Sequence, residues 1–475
     1  MSVTENAINF NSFEKEIYKK CCKMGCETIK MMLELWDEEL SESRDRTVYR
    51  NKGKRKTTIK TIMGEIEYER RVYEYCDEEG NRKCVYLLDE AIDKSGSGFF
   101  SGMLSEQIVQ ASCENSYREA AREISELTGQ MISHTAAWKV VQEIGERVDK
   151  QEEVTGQQAK NNQGTGEVEA KVLFEEQDGV WLNLQGKDRK IHGSGKEMKV
   201  AIAYDGAKEE YKKSKAKKMR YKLTNKVACA NFEGVKKFQR RKEGVIAGTY
   251  NVDEIEMRFL NGDGASWIKS NVIDDVHFQL DPFHRNKAIK TYVKNPDMQE
   301  DIKELLYNND IENLLVYIEA LSNSVDNDDE RQNLLNLLSY YTNNKDGLVP
   351  IHQRGINIPE PPKGKEYRTM GTMESNIFTI IGNRMKGRRA CWSIAGGNNL
   401  ARLLCLKHTG KLPDTLQNLT TAALPEKYAE EILVGLSPSS IAKSTGKGYD
   451  GYHKAFAPPT TAYKWLRNIS SSKTI

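Results

Sequence analysis

Three carboxylates sit at breaks in the sequence that could expose them. Asp178 lies in Gln177-Asp178-Gly179, Asp263 in Gly262-Asp263-Gly264 and Glu374 in Met373-Glu374-Ser375. The spacings are 85 residues (263 − 178) and 111 residues (374 − 263), so these acids can act together only if the fold gathers them. Gathered, they would offer hard oxygen ligands suited to Mg²⁺, with Mn²⁺ an acceptable substitute. Two such ions, roughly 4 Å apart, can hold a phosphodiester, activate an attacking oxygen and stabilise the leaving one. Asp281 and His284 follow in Asp281-Pro282-Phe283-His284 and are candidates for a supporting polar pair.

The elements that would position them can be read from pattern. Glu256 to Leu260 is a short apolar run expected to be a buried strand, broken at Asn261-Gly262-Asp263-Gly264. A short helix from Ala265 and an alternating strand through Val276, Phe278 and Leu280 follow, ended by Pro282. Upstream, strands are expected at 172–184, 199–204 and 226–230, then a helix at 232–248. Three strands on short connections, helix, strand, helix, strand, with acids at these points, is the ribonuclease-H-like arrangement. In open α/β sheets, ligands bind beyond the carboxyl ends of the strands. Three alternatives stay open. Asp178-Gly179 between apolar arms is also a hairpin signal, in which case Glu176 or Asp205 could supply the first acid. Asp263 could simply cap the next helix, and Glu374 could be an acid favoured at a helix start.

The chain has 475 residues, 38% apolar and 29% charged, with a net charge of +2. That length implies more than one core. No apolar run is long enough to span a membrane, and the N-terminus lacks the order of a signal peptide. Nine scattered cysteines fit reduced thiols and a cytoplasmic protein. Basic residues cluster at 44–60, at 208–226 and at Arg384, Lys386, Arg388 and Arg389, as a protein touching a long polyanion at several places would need.

A helix is expected over about 10–40 and a β-hairpin after Thr57. Two capped helices over 116–149 have the outline of a helix-turn-helix, with His134, Thr135 and Lys139 facing a DNA groove. The expected fold is a multidomain α+β N-terminal region followed by an α/β ribonuclease-H-like catalytic core with an all-α insertion. The expected divisions are a DNA-binding region at 1–150, a linker at 151–170 and the first part of the core at 171–290. An α-helical insertion at 291–345, the second part of the core at 346–411 and a tail at 412–475 complete them.

Four pieces carry a resemblance: DGVWLNLQ, FLNGDGASWIK, DPFHRNKAI and TMESNIFTIIGNRMKGRRACWS. With these the chain resembles bacterial insertion-sequence transposases of the ISLre type, related to the Mutator-like DDE group. The resemblance implies that Asp178, Asp263 and Glu374 are the catalytic, metal-binding triad, and it puts a Cys/Asp-x-x-His signature on Asp281 and His284. It implies two Mg²⁺ ions, double-stranded DNA as partner (element ends and target), and a dimer or higher oligomer on DNA. A DNA-binding regulator without chemistry, or a structure-specific nuclease of the same fold, would share much of this sequence.

Overall fold

The structure is a computed structural model that describes residues 9–92, 100–160, 166–210, 220–270, 276–387 and 389–419. It opens with α1 (Phe10–Ser43), β1 (Arg50–Thr61), β2 (Gly64–Cys76), β3 (Arg82–Val85) and α2 (Leu87–Ala91). Three helices follow, α3 (Gly102–Glu114), α4 (Tyr117–Thr128) and α5 (His134–Lys160). The sheet region has β4 (Val172–Asn183), α6 (Gly186–His192), β5 (Gly195–Tyr204), β6 (Ala207–Glu210), β7 (Arg220–Leu223), β8 (Val227–Asn231), α7 (Val235–Ala247), β9 (Met257–Gly262), α8 (Ser266–Lys269) and β10 (Val276–Leu280). Helices then dominate: α9 (Pro282–Tyr292), α10 (Pro296–Tyr307), α11 (Ile311–Ser324), α12 (Asp328–Asn343), α13 (Lys345–Leu348), α14 (Met373–Ile377), α15 (Ile394–His408) and α16 (Leu412–Leu419). A wide π-type helix, Phe378–Lys386, continues α14 without a break.

The main sheet has five strands in the order β10-β9-β4-β5-β8. β5 runs antiparallel to both β4 and β8, while β9 and β10 are parallel to β4. Alternation along β4 decides what each face holds. Val172, Phe174, Val180 and Leu182 pack into one core with α3, α4, α5 and α15. Glu175 points to the other face, where Lys242 of α7 and Arg258 of β9 meet it. α10, α11 and α12 build a second core on Leu260, Phe278 and Leu280. Leu33 and Trp36 of α1 pack with Ile66 and Tyr68 of β2 into a small separate cluster. Among the described residues, no helix is long and apolar enough to cross a membrane.

One open alternative closes and two expectations shift. β4 runs unbroken through Asp178-Gly179, so that pair is strand and not a hairpin turn. A Cβ on Gly179 would meet the Glu197 side chain of β5, which lies over it. α5 continues to Lys160, into the stretch expected as linker, and it shares the main core. Gly156 of α5 and Gly244 of α7 let the two helix backbones touch, since a Cβ on Gly244 would come within 2.8 Å of Gly156 Cα. Leu412 and Leu416 of α16 are buried in the main core, so the tail begins later than expected. The helix expected near Glu426 lies outside the described residues.

Candidate functional site

The last paired residues of the parallel strands β4 and β9 are Gln177 and Gly262. Asp178 and Asp263 are the next residue on each, so register alone sets them side by side where β9 ends and β4 runs on, paired with β5 alone. Asp263 Oδ1 accepts the Ala265 N–H at 2.8 Å, which bends the chain into the left-handed Gly264 (φ +86°). The insertion braces this bend: the Tyr340 hydroxyl of α12 donates to the Asp263 carbonyl at 2.7 Å.

β10 ends one strand further out. Asp281 is buried and caps α9, accepting the N–H groups of Phe283 (2.8 Å) and His284 (3.3 Å). Its other oxygen accepts from Asn261 Nδ2 at 2.6 Å. With both oxygens occupied, Asp281 positions His284 and has little left to give a ligand. His284 Nε2 lies 3.4 Å from Asp178 Oδ2. That contact with Asp178 raises the His284 pKa, against burial, and Asp263 and Asp281 add to the rise. Burial pushes Asp263 up, and the Asp178 charge pushes the same way. Glu197 is also raised, by burial and then by Asp263 and Asp178, with Lys199 opposing. Like charges are therefore gathered at this edge with one imidazole between the two aspartates.

The alternative first acids are occupied elsewhere. Glu176 is fully buried. Its oxygens accept from the Tyr204 hydroxyl (2.8 Å), Asn261 Nδ2 (3.2 Å) and the Thr372 hydroxyl (2.7 Å). They also accept the N–H groups of Gly371 (3.0 Å), Thr372 (2.8 Å) and Met373 (3.1 Å). Those are the free N–H groups at the start of α14, where negative charge is favoured. Glu176 thus ties the Glu374 helix to β4, two residues from Asp178. Asp205 is held by Thr224, Asn225 and Lys365. Glu374 itself is exposed on the first turn of α14. Among the described residues no three of His, Cys, Asp and Glu form a ready metal-holding group, so Glu374 is not drawn into the aspartate pair here.

The expected DNA contacts divide. Ser116 caps α4 by accepting the Glu119 N–H at 3.2 Å, and Ser133 accepts the Ala136 N–H at 3.1 Å before the exposed His134, Thr135 and Lys139. Lys386 and Arg389 are exposed, and Arg388 lies outside the described residues. Arg384 is used inside the chain: its Nε donates to the Ser112 carbonyl at 2.7 Å, and its guanidinium lies 5.3 Å from the rings of Tyr117 and Trp392. In the 44–60 group, Lys52, Lys56 and Lys60 face Glu74, Glu67 and Glu65 across the hairpin at 3.3, 3.2 and 3.8 Å.

The sequence reading missed Glu197 and the tether role of Glu176. Glu197 precedes an apolar strand with no local signal. Glu176 is distinguished only by what lands on it from nearly 200 residues away.

A family model described as "Uncharacterised protein family (UPF0236)" matches residues 3–417. A UPF0236 protein of Caldanaerobacter subterraneus subsp. tengcongensis, whose name joins eleven loci, is 25% identical over 413 residues, covering 86% of this chain and 79% of its own. A second UPF0236 protein of that organism is 24% identical over 437 residues, with 86% and 84% covered. A UPF0236 protein of Streptococcus gallolyticus, named for the vanSb 3′ region, is 20% identical over 357 residues, with 74% and 72% covered.

Proposed function

The chain belongs to the UPF0236 family, and we propose that it is a DDE transposase of the ISLre type, which cuts the ends of its element and joins them to target DNA. The observation that carries this is the aspartate pair: Asp178 within β4 and Asp263 at the end of the parallel β9, each one residue past their last paired residues, with the Glu374 helix tethered to β4 through Glu176. The strand order β10-β9-β4-β5-β8, with antiparallel β4, β5 and β8 and parallel β9 and β10, supports a ribonuclease-H-like core. A relative whose name joins eleven loci of one organism adds support, because repeated copies are what a mobile element leaves behind.

The donor set fits divalent metal. Asp178 and Asp263 are hard oxygen donors of one sign, and their mutual repulsion favours any added positive charge between them. Asp178 and Asp263, with Glu374 as third ligand, would hold Mg²⁺, which when bound supplies charge to activate the attacking oxygen and stabilise the leaving one. The protein's own part is positioning. Gly179 N–H, 2.7 Å from Asp178 Oδ1, fixes that carboxylate and leaves Oδ2 toward His284. Asp281 holds His284 through its backbone. Tyr340 holds the Asp263 bend. The exposed side chains at the start of α5 are suited to contact base edges, and Lys386 and Arg389 to contact phosphates.

The test is strand cleavage and joining on DNA carrying the element's terminal repeats, with Mg²⁺. Cut ends covalently joined to a target plasmid are expected. A nuclease of the same fold would give cuts and no joined product, and a regulator would bind without cutting. Either result overturns the proposal.

A further inference from the structure

A cavity of about 880 Å³ borders the Glu374 turn and has no part in the chemistry above. Thr372, Ser375 and Asn376, on either side of Glu374, form part of its wall. Six basic side chains line it: Lys222, Lys226, Arg368, Lys407, His408 and Lys411; among the described residues no aspartate or glutamate does. Lys226 Nζ donates to Asn376 Oδ1 at 3.0 Å, and Lys411 donates to the Thr249 hydroxyl. Both acceptors are neutral, so among the described residues these two charges lack a carboxylate partner. Burial lowers the pKa of both lysines. His408 is lowered too, by burial and then by Lys407 and Lys226. Lys407 and Arg368 do have acids, Glu114 and, at 3.5 Å, Glu366.

The most deeply buried cations of this chain are neutralised, while the half-buried Arg285 and Arg354 meet backbone carbonyls. Arg241 and Arg402 both meet Asp149 and Glu152 of α5, and Lys242 meets Glu175. Leaving Lys226 and Lys411 without acids costs stability unless an anion from outside completes them. A single small anion would leave most of 880 Å³ empty. Along the wall, the Arg368 guanidinium lies 3.5 Å over the Tyr221 ring, a planar platform of the kind on which bases stack. Thr249, Thr369 and Ser375 add hydroxyls of the kind that bind phosphate oxygens.

We propose that this cavity binds the sugar–phosphate backbone of a nucleic-acid strand, which lies across Lys226 and Lys411 and against the turn that carries Glu374. The inference rests on the nucleic-acid part of the proposed function and on none of its metal chemistry.

The experiment uses the full chain in EDTA with a labelled oligothymidylate of about ten nucleotides, a length within the range such sites cover. Anisotropy is read at several salt concentrations. Lys226→Gln with Lys411→Gln should weaken binding about tenfold and reduce the slope of log affinity against log salt by about 1.4, from two lost phosphate contacts. A second measurement needs no substitution: the oligonucleotide should protect Lys226 and Lys411 of the wild type from amine-reactive labelling. Inorganic phosphate at equal phosphate concentration should not. Unchanged affinity and slope in the double variant overturns the proposal. Equal protection by inorganic phosphate overturns it in favour of a small-anion site. If wild type fails to cut terminal-repeat DNA but the lysine effects appear, the transposase reading falls and this site stands.

Discussion

Two groups of charge lie on opposite faces of the same strand, β4. Behind the sheet, Glu175 is buried among Lys242, Arg258 and Glu243, and every charge has an opposite neighbour: Arg258 Nε donates to Glu175 at 2.7 Å and Nη2 reaches Glu243 at 2.9 Å. At the front edge, three residues further along, Asp178 faces Asp263, with Glu197 close enough to be raised by both. The first arrangement lowers the energy of the folded state and has nothing left to offer. The second is a like-charged group kept partly open, which is unfavourable for the protein alone and suited to a cationic ligand. Paired charge marks structure and unpaired like charge marks chemistry.

The difference can be broken most severely at the front. Asp263→Asn should lower cleavage of terminal-repeat DNA by at least about 10³-fold, because charge held at the metals is the main catalytic device. The melting temperature should stay level or rise, since a repulsion has been removed. Cleavage rates together with thermal melts check this; retained cutting, or a large drop in melting temperature, contradicts the contrast.

Glu175→Gln should do the reverse. Leaving Lys242 and Arg258 short of one partner should cost about 3–5 kcal/mol in denaturant unfolding. Cleavage per folded molecule should be little changed.

Acid should find the same group. Burial alone would raise Glu175, but Arg258 and Lys242 outweigh it and bring its pKa down to about 2, from 4.5 in the unfolded chain. A depressed carboxylate contributes stability above its unfolded pKa and loses it as pH falls through the folded one. About 3 kcal/mol should therefore disappear between pH 4.5 and about 2. Glu175→Gln should flatten that part of the stability profile; an equally steep profile in the variant would mean that other carboxylates control acid unfolding.

The smallest effect lies at the start of α5. His134→Ala with Lys139→Ala should reduce the preference for terminal-repeat over random DNA by about 1–3 kcal/mol, with less effect on affinity for random DNA. Competition binding at two salt concentrations reads it. The full chain is required, because Asp149 and Glu152 on the same helix bind Arg241 and Arg402 of the core, and a cut near residue 150 would sever that contact. Equal loss on both DNAs would move recognition away from this helix.

Much of the sheet was legible because its residues carry local signals. Glycines around Asp263, alternation at Val276, Phe278 and Leu280, and the Ser116 and Ser133 caps all sit within a few positions of what they determine. The hairpin left open at Asp178-Gly179 fails because the dipeptide lies inside a strand whose pairing with β5 continues on both sides of it. The linker expected after 150 was wrong because polar residues there face Arg241 and Arg402, partners supplied only by the tertiary fold. The basic cavity was visible only as part of the run at 208–226, since Arg368 and Lys411 join it from far along the chain.

The helix that carries Glu374 is α-helical for five residues and then widens into the π-type segment from Phe378 to Lys386. Wide turns of this kind are rare and concentrate at functional sites. They hold surplus chain. Drawing the segment into α-helical rings would release residues, and each residue passed turns a helix by about 100° relative to its continuation. Glu176 pins the start of α14, so such a change would act like a screw thread behind a fixed head, leaving Glu374 in place while it turns the far end at Lys386, without moving any strand of the sheet.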